Sequence, residues 1–335
     1  MNSRIASLFV HGHVSRPIWG VVALTASLAA AAPAHAVYPE HAIQIVISFP
    51  PAGATDILAR AMGQKLSEEL KQPVVIENRP GAGGAIGMAA AARASADGYT
   101  LYLAAITNLA IAAAIYKKQP VSLIDDFVPI ASVANSPHAL VAPTALGITD
   151  AKGLVSYLKA APGRYNFASQ GTGTLSHLES ELFALKTDVQ MTHIPYKGSS
   201  QALPQLVSAS SAMMFDSIPA SMPLVKAGKL RYLAVVSGGR SGLLPDVPTM
   251  AEAGIEGVQA DNMFGMSAPK GTPQEAIDIV AKALQKVLAM PDLKATLAAQ
   301  GVDLVYAPAA EMKKMTTQEY KIWGDVVSAA KVQPE

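Results

Sequence analysis

A β-branched run, Ile43-Gln44-Ile45-Val46-Ile47, stops short of two consecutive prolines, Pro50 and Pro51, and beyond them the chain takes up helical spacing. Neither proline can donate to a sheet ladder, so the strand has to end there. Ile57, Leu58, Ala61, Met62 and Leu66 then recur on one helix face. A strand therefore feeds a helix through the short loop Pro51-Ala52-Gly53. The amides of Gly53, Ala54, Thr55 and Asp56 have no intrahelical partner and sit at the positive end of the helix dipole, which suits a carboxylate or phosphate. An ordinary turn capped by Thr55 or Asp56 accounts for the same stretch.

The alternation continues along the chain. Residues 73–77 read as a strand, 78–81 as a turn, 86–93 as a small-residue helix and 99–105 as another strand, with Thr107 and Asn108 at its carboxyl end. Such a pattern predicts an α/β fold of parallel βαβ units, with ligands at the carboxyl ends of the strands. Residues 127–143 are extended but broken by Pro129 and Pro137, which fits a strand passing between domains better than a central one. A first crossover is expected near 138–142. A second α/β unit follows: helix 153–160, strand 165–169, helix 175–185, strand 189–195, helix 202–208, and strands 213–216 and 230–236. After a return crossover near 261–267, helices over 273–290, 293–300 and 309–330 need a sheet to cover, and the first domain offers it. The expected division is 1–36 as signal peptide, 37–140 plus 262–335 as one lobe, and 141–261 as the other.

The N-terminus carries Arg4 and Arg16, an apolar run from Ile18 to Ala32 and the small-x-small pattern Ala34-His35-Ala36. This is the layout of a cleavable export signal, and it places the mature chain, starting near Val37, outside the cytoplasm. Cleavage would remove two basic residues and no acid, leaving the charge near zero, so nothing in the composition points to nucleic acid. The chain has no cysteine, which rules out thiolate zinc sites and a cysteine nucleophile. Its 50% hydrophobic content supplies a large core instead.

Catalytic signatures are missing. Gly81 to Gly87 fails the dinucleotide fingerprint because Ile86 stands where the third glycine belongs, and there is no Walker A, H-E-x-x-H or G-x-S-x-G pattern. The mature histidines, His41, His138, His177 and His193, lack metal-ligand spacing, so neither metal nor cofactor is expected. Glu179 and Glu181 fall on different faces of one helix and read as solvated or locally paired. The loop Ser169-Gln170-Gly171-Thr172-Gly173-Thr174 repeats the first design of strand, small residues, hydroxyls and helix start. One such loop in each domain could clamp an anion across a cleft. His177 follows this loop, either orienting it or donating to a ligand. Tyr196 and Asp216 end their strands on the cleft side, where each contacts a ligand or braces a loop.

FPPAGATDILAR, VVIENRPGAGGAIG, DGYTL, ASQGTGTLSHL, HIPYKG, MMFDSIPA, AGKLRYLAV and LPDVPTMAEAG appear in this order over nearly the whole mature chain. Together they strongly resemble the periplasmic solute receptors of tripartite tricarboxylate transporters, the Bug receptors. The resemblance implies a two-lobed periplasmic binding protein fold of type II, with each lobe a sheet flanked by helices. It also implies a monomer that closes on a small organic acid, holds it by loop amides, hydroxyls and ordered water, and delivers it to a membrane permease without catalysis. The family's ligand loops fall on Pro51, Ala52, Gly53, Ala54, Thr55 and Asp56; on Thr107 and Asn108; and on Ser169 to His177. Asp216 matches a position that contacts polar or amino groups of the ligand. Three departures stand out: Ala52 replaces a common glycine, AITNLA lacks the usual glycine or extra hydroxyls, and Met263 replaces a common aromatic residue before Phe264-Gly265. Two rival readings remain at this level: a secreted hydrolase using Ser169 or Ser176 with His177, and a receptor that signals to a membrane sensor.

Overall fold

The computed structural model describes Gly12 and residues 38–116 and 119–330, so the export signal expected at 1–36 lies, Gly12 apart, outside the described residues. In chain order the elements are β1 (Ile43–Ile47), α1 (Ala54–Leu70), β2 (Val74–Asn78), α2 (Ala85–Ala92), β3 (Thr100–Ala105), α3 (Ile106–Ile115) and β4 (Phe127–Asn135). Then come β5 (His138–Pro143), α4 (Ala151–Lys159), β6 (Tyr165–Ser169), α5 (Leu175–Thr187), β7 (Met191–Pro195), α6 (Ser199–Val207), β8 (Met213–Ser217), α7 (Ile218–Lys226) and β9 (Leu230–Val235). The chain ends with β10 (Met263–Pro269), α8 (Gln274–Ala289), α9 (Pro291–Ala298), β11 (Asp303–Pro308) and α10 (Ala309–Ala330).

These elements build two sheets flanked by helices, a two-lobed α/β fold. The first sheet has the order β11-β4-β10-β3-β1-β2 and the second β7-β6-β8-β5-β9. In the first, β1 lies parallel to both neighbours, with Ile45 opposite Ile76 on one side and Leu101 on the other. Its side chains are buried on both faces, as a doubly covered strand requires: Ile43, Ile45 and Ile47 meet Leu58, Met62 and Leu66 of α1, while Val46 meets Met88 and Ala91 of α2. Helix α8 closes the same core with Ile277, Val280, Leu284, Val287 and Leu288 at helical spacing. The C-terminal helix α10 reaches further, because Trp323 and Val327 pack with Ile111 and Ile115 of α3 and with Leu175 and Leu178 of α5, in the other lobe.

Several expectations need correction. The segment read as a strand between domains is two strands, and β4 lies inside the first sheet between β10 and β11, antiparallel to both. Pro129 faces Ser267 beside a register shift in the β4–β10 ladder and lies beyond the residues of β4 that pair with β11, an irregular edge position of the kind proline occupies. The chain leaves one sheet at Asn135 and enters the other at His138, and it returns at Met263. Strand β5 is antiparallel to both β8 and β9, so neither sheet is purely parallel. Helices α3 and α7 and strand β11 were not anticipated; two prolines in α7, Pro219 and Pro223, hid its spacing. No helix among the described residues is long and apolar enough to cross a membrane.

Candidate ligand-binding site

Four helices direct their first turns at one cavity between the lobes. From the first lobe come Gly53, Ala54 and Thr55 at the start of α1 and Asn108 in the first turn of α3, and from the second come Gly198 and Ser199 at the start of α6 and Ser217 before α7. Phe49, Pro50, Gln170 and Asn262 complete the wall. None of the four helices has a side chain hydrogen-bonded to its N-terminal amides as a cap. No charged side chain lines the cavity, and amides at the helix dipole ends face it. Among the described residues no group of three or more His, Asp or Glu side chains could hold a metal ion.

The first loop divides its work. Gly53, Ala54 and Thr55 face the cavity, whereas Pro51, Ala52 and Asp56 do not line it. Ala52 adopts a left-handed φ of 68° and gives its N–H to Asp56 Oδ2 at 3.1 Å. Asp56 also accepts from Arg60 Nε at 3.0 Å and from Asn78 Nδ2 at 3.0 Å, with Arg60 completing a second contact at 2.8 Å. Burial pushes the Asp56 pKa up, but these donors outweigh it and hold the carboxyl below its usual range. Asp56 is a brace behind the loop, turned away from the cavity.

Residues at the end of β3 tie the return crossing down. Thr107 Oγ1 accepts from Met263 N–H at 3.2 Å and lies within hydrogen-bond distance of Asp261 O and Glu319 Oε2, so it is buried outside the cavity. Asn108 reaches across the lobes: its Oδ1 accepts the N–H of Leu175, the first residue of α5, at 2.9 Å.

The second loop faces mostly outward. Gly171, Thr172, Thr174 and Tyr196 line an outer cleft opposite Gly81 to Gly84, and this cleft shares Phe49, Pro50 and Gln170 with the inner cavity. Ser169 and Gly173 lie behind it. Ser169 Oγ sits 2.6 Å from His193 Nε2 and accepts from Gly171 N–H. Gly173 N–H donates to His177 Nδ1 at 3.3 Å, and the His177 and His193 rings stack at 4.0 Å. His177 accepts from the loop amide of Gly173 and lines neither the cavity nor the outer cleft. Burial, helped by the neighbouring His177, pushes His193 down to about 3, so it is neutral and a weak base.

Asp216 is fully buried beneath the cavity wall. Its Oδ1 accepts from Gln170 Nε2 and from Ser199 Oγ, each at 2.7 Å, which sets both side chains at the cavity. Burial raises its pKa against the lowering effect of those bonds. Glu179 is neither solvated nor paired along its own helix; it is buried with Oε2 2.7 Å from His138 Nδ1. Glu181, half-exposed, has the local partner His177 Nε2 at 3.6 Å. Gly198, Ser199, Ser217 and Asn262 were missed from sequence, and Gln170 was read only as part of the second loop. A signal existed for two of them, since Gly198-Ser199 follows strand β7 and opens α6 in the same strand, small residue, helix sequence as the first loop.

Residues 58–332 match the family described as "Tripartite tricarboxylate transporter family receptor". The chain belongs to this family. BugT of Bordetella pertussis is 37% identical over 309 residues, covering 92% of this chain and 94% of that protein. Among solved structures, R. palustris Rpa4515 with adipate superposes with a TM-score of 0.86 at 31% identity, covering 89% of this chain and 100% of the other. MatC from Rhodopseudomonas palustris with bound malate gives 0.81 at 29% identity over 87% of this chain and 100% of its own. The two sheets and the cleft between them are therefore those of a periplasmic binding protein.

Proposed function

We propose that this chain is a periplasmic receptor that captures a small organic carboxylate between its lobes and delivers it to the membrane permease of a tripartite transporter, working as a monomer and catalysing nothing. The observation that carries the reading is the convergence of four uncapped helix starts, two from each lobe, on a cavity with no charged side chain. Unpaired amides at dipole ends stabilise an anion without a counter-charge. The amides of Gly53, Ala54 and Thr55 take one carboxylate from the first lobe, while Gln170, Ser199 and Ser217 meet the ligand from the second. Gly171, Thr172, Thr174 and Tyr196 form the mouth. The lobes that close are 37–140 with 262–335, and 141–261. Relatives with adipate and malate support an acid of that size.

The hydrolase reading finds little support. Ser169 pairs with His193 and not His177, its hydroxyl is fully buried, and a histidine held near 3 is poorly matched to a general base at neutral pH. Ser176 spends its hydroxyl on the carbonyl of Phe215. A thermal-shift screen of adipate, malate, citrate and their neutral amides tests the proposal. A true ligand at a hundredfold excess over its Kd stabilises by ~2.7 kcal/mol. Stabilisation by the amides as strong as by the acids, or by none of the compounds, would rule it out.

A further inference from the structure

Asn108 and Asn262 stand side by side in the cavity wall, and one backbone amide fixes which way both side chains point. The N–H of Leu175 can only donate, so the atom of Asn108 facing it at 2.9 Å is the carbonyl oxygen. Asn108 therefore turns Nδ2 toward Asn262 Oδ1, 3.2 Å away. Asn262 in turn directs Nδ2 at His138 Nε2, 3.4 Å away, and Nε2 has to accept. The single ring proton then sits on Nδ1, facing Glu179 Oε2 at 2.7 Å. Glu179 lies one turn beyond Leu175 on α5, so the relay leaves this helix and returns to it. All five residues are buried.

We propose that His138 and Glu179 are positioning residues that hold this relay in one direction, so that Asn108 and Asn262 each keep a second N–H for the cavity. The wall they form offers only donors. It accepts carboxylate, carbonyl or hydroxyl oxygens and turns away ammonium and amide N–H groups. For its ligand this inference rests on the carboxylate reading above; for the ring proton it does not. Two influences compete at His138. The charges of Glu179 on α5 and Asp216 on β8 favour a second proton on the ring, raising its pKa against the effect of burial. A doubly protonated ring would set donor against donor along the relay, ending at the Leu175 amide, which cannot reverse.

The experiment is a long-range ¹H–¹⁵N correlation spectrum of the purified ¹⁵N-labelled chain at pH 7.5 without ligand, with His138 assigned by its loss in His138→Gln. The expected result is a neutral ring protonated on Nδ1. A ring protonated on Nε2, or on both nitrogens, would overturn the proposal. Glu179→Gln keeps an acceptor for Nδ1–H and should retain both the tautomer and adipate affinity within about twofold, whereas Glu179→Leu should mix the tautomers and weaken adipate roughly fivefold to tenfold, the loss of about one hydrogen bond. Wild-type affinity in a Glu179→Leu protein with mixed tautomers would also overturn it. If Glu179→Leu does not fold, the wild-type and Glu179→Gln spectra decide. If the wild-type protein binds none of adipate, malate and citrate, the carboxylate reading falls and the tautomer still judges the relay.

Discussion

Gly198, at the start of α6, is the position where one methyl group should separate ligand affinity from stability. Its φ of 110° and ψ of 174° form a conformation reserved almost entirely for glycine. A Cβ placed there would lie 2.5 Å from Cγ and 2.8 Å from Cδ of Pro50, a rigid ring belonging to the other lobe. Gly198→Ala thus carries two penalties. The backbone penalty, ~1–3 kcal/mol, applies however the lobes are arranged. The clash, ~1–3 kcal/mol, applies only where they approach as they do here. If the ligand binds this close arrangement, the second penalty comes straight out of affinity, roughly 5- to 150-fold in Kd. Gly163→Ala is the control, because Gly163 also has a positive φ, 74°, yet an added Cβ would meet nothing within 4 Å. It should lower stability in urea and leave affinity alone. Calorimetry with the acid found by thermal shift measures the difference, and small-angle scattering at saturating ligand should show Gly198→Ala less compact than wild type. Equal affinities for Gly198→Ala and wild type would refute the reasoning.

Ala52→Gly relieves a left-handed alanine and should stabilise the protein by ~1 kcal/mol in urea melts, and no gain would mean that the strain is not felt. Asp56→Ala strips an acceptor from Ala52, Arg60 and Asn78 at once and should cost ~1–3 kcal/mol with weaker carboxylate binding, read by urea melts and calorimetry. Because the folded-state pKa of Asp56 lies below the usual 3.8, its stabilisation is present above that pH and lost as acid takes the pH through the lower value. His193 acts in the opposite chemical sense: neutral when folded, it resists the proton that the unfolded chain takes up below pH 6.5. Stability should therefore fall between pH 7.5 and 5, by less than about 2 kcal/mol for this partly exposed ring, and His193→Asn should flatten that slope in urea melts at the two pH values.

The first strand, its loop and the helix after it were legible because proline, glycine and apolar spacing are local signals: the strand ends at Ile47 and α1 begins at Ala54, within the stretch read from sequence. The second loop was legible on the same grounds. What local signals cannot carry is the identity of a partner far along the chain. Glu179 looked solvated because its partner, His138, is 41 residues away, and the bond that Asn78, 22 residues on, gives to the Asp56 carboxylate was out of reach for the same reason. Pro129 in a central strand became readable only once the bulge opposite it was known. The start of α6 was overlooked although it repeats the motif of the other two loops, since a single glycine and serine after a strand are also what any turn contains.

The four helix starts have a consequence for release. Two are anchored in each lobe, so the anion's donors are not a finished pocket that a door uncovers; they are a coincidence of two halves. Parting the lobes by a few ångströms moves α6 and α7 away from α1 and α3 and leaves the anion facing only half of its donors. The site is dismantled by the same movement that exposes it. On the proposed reading, a surface that holds the lobes apart would be enough to unload the receptor.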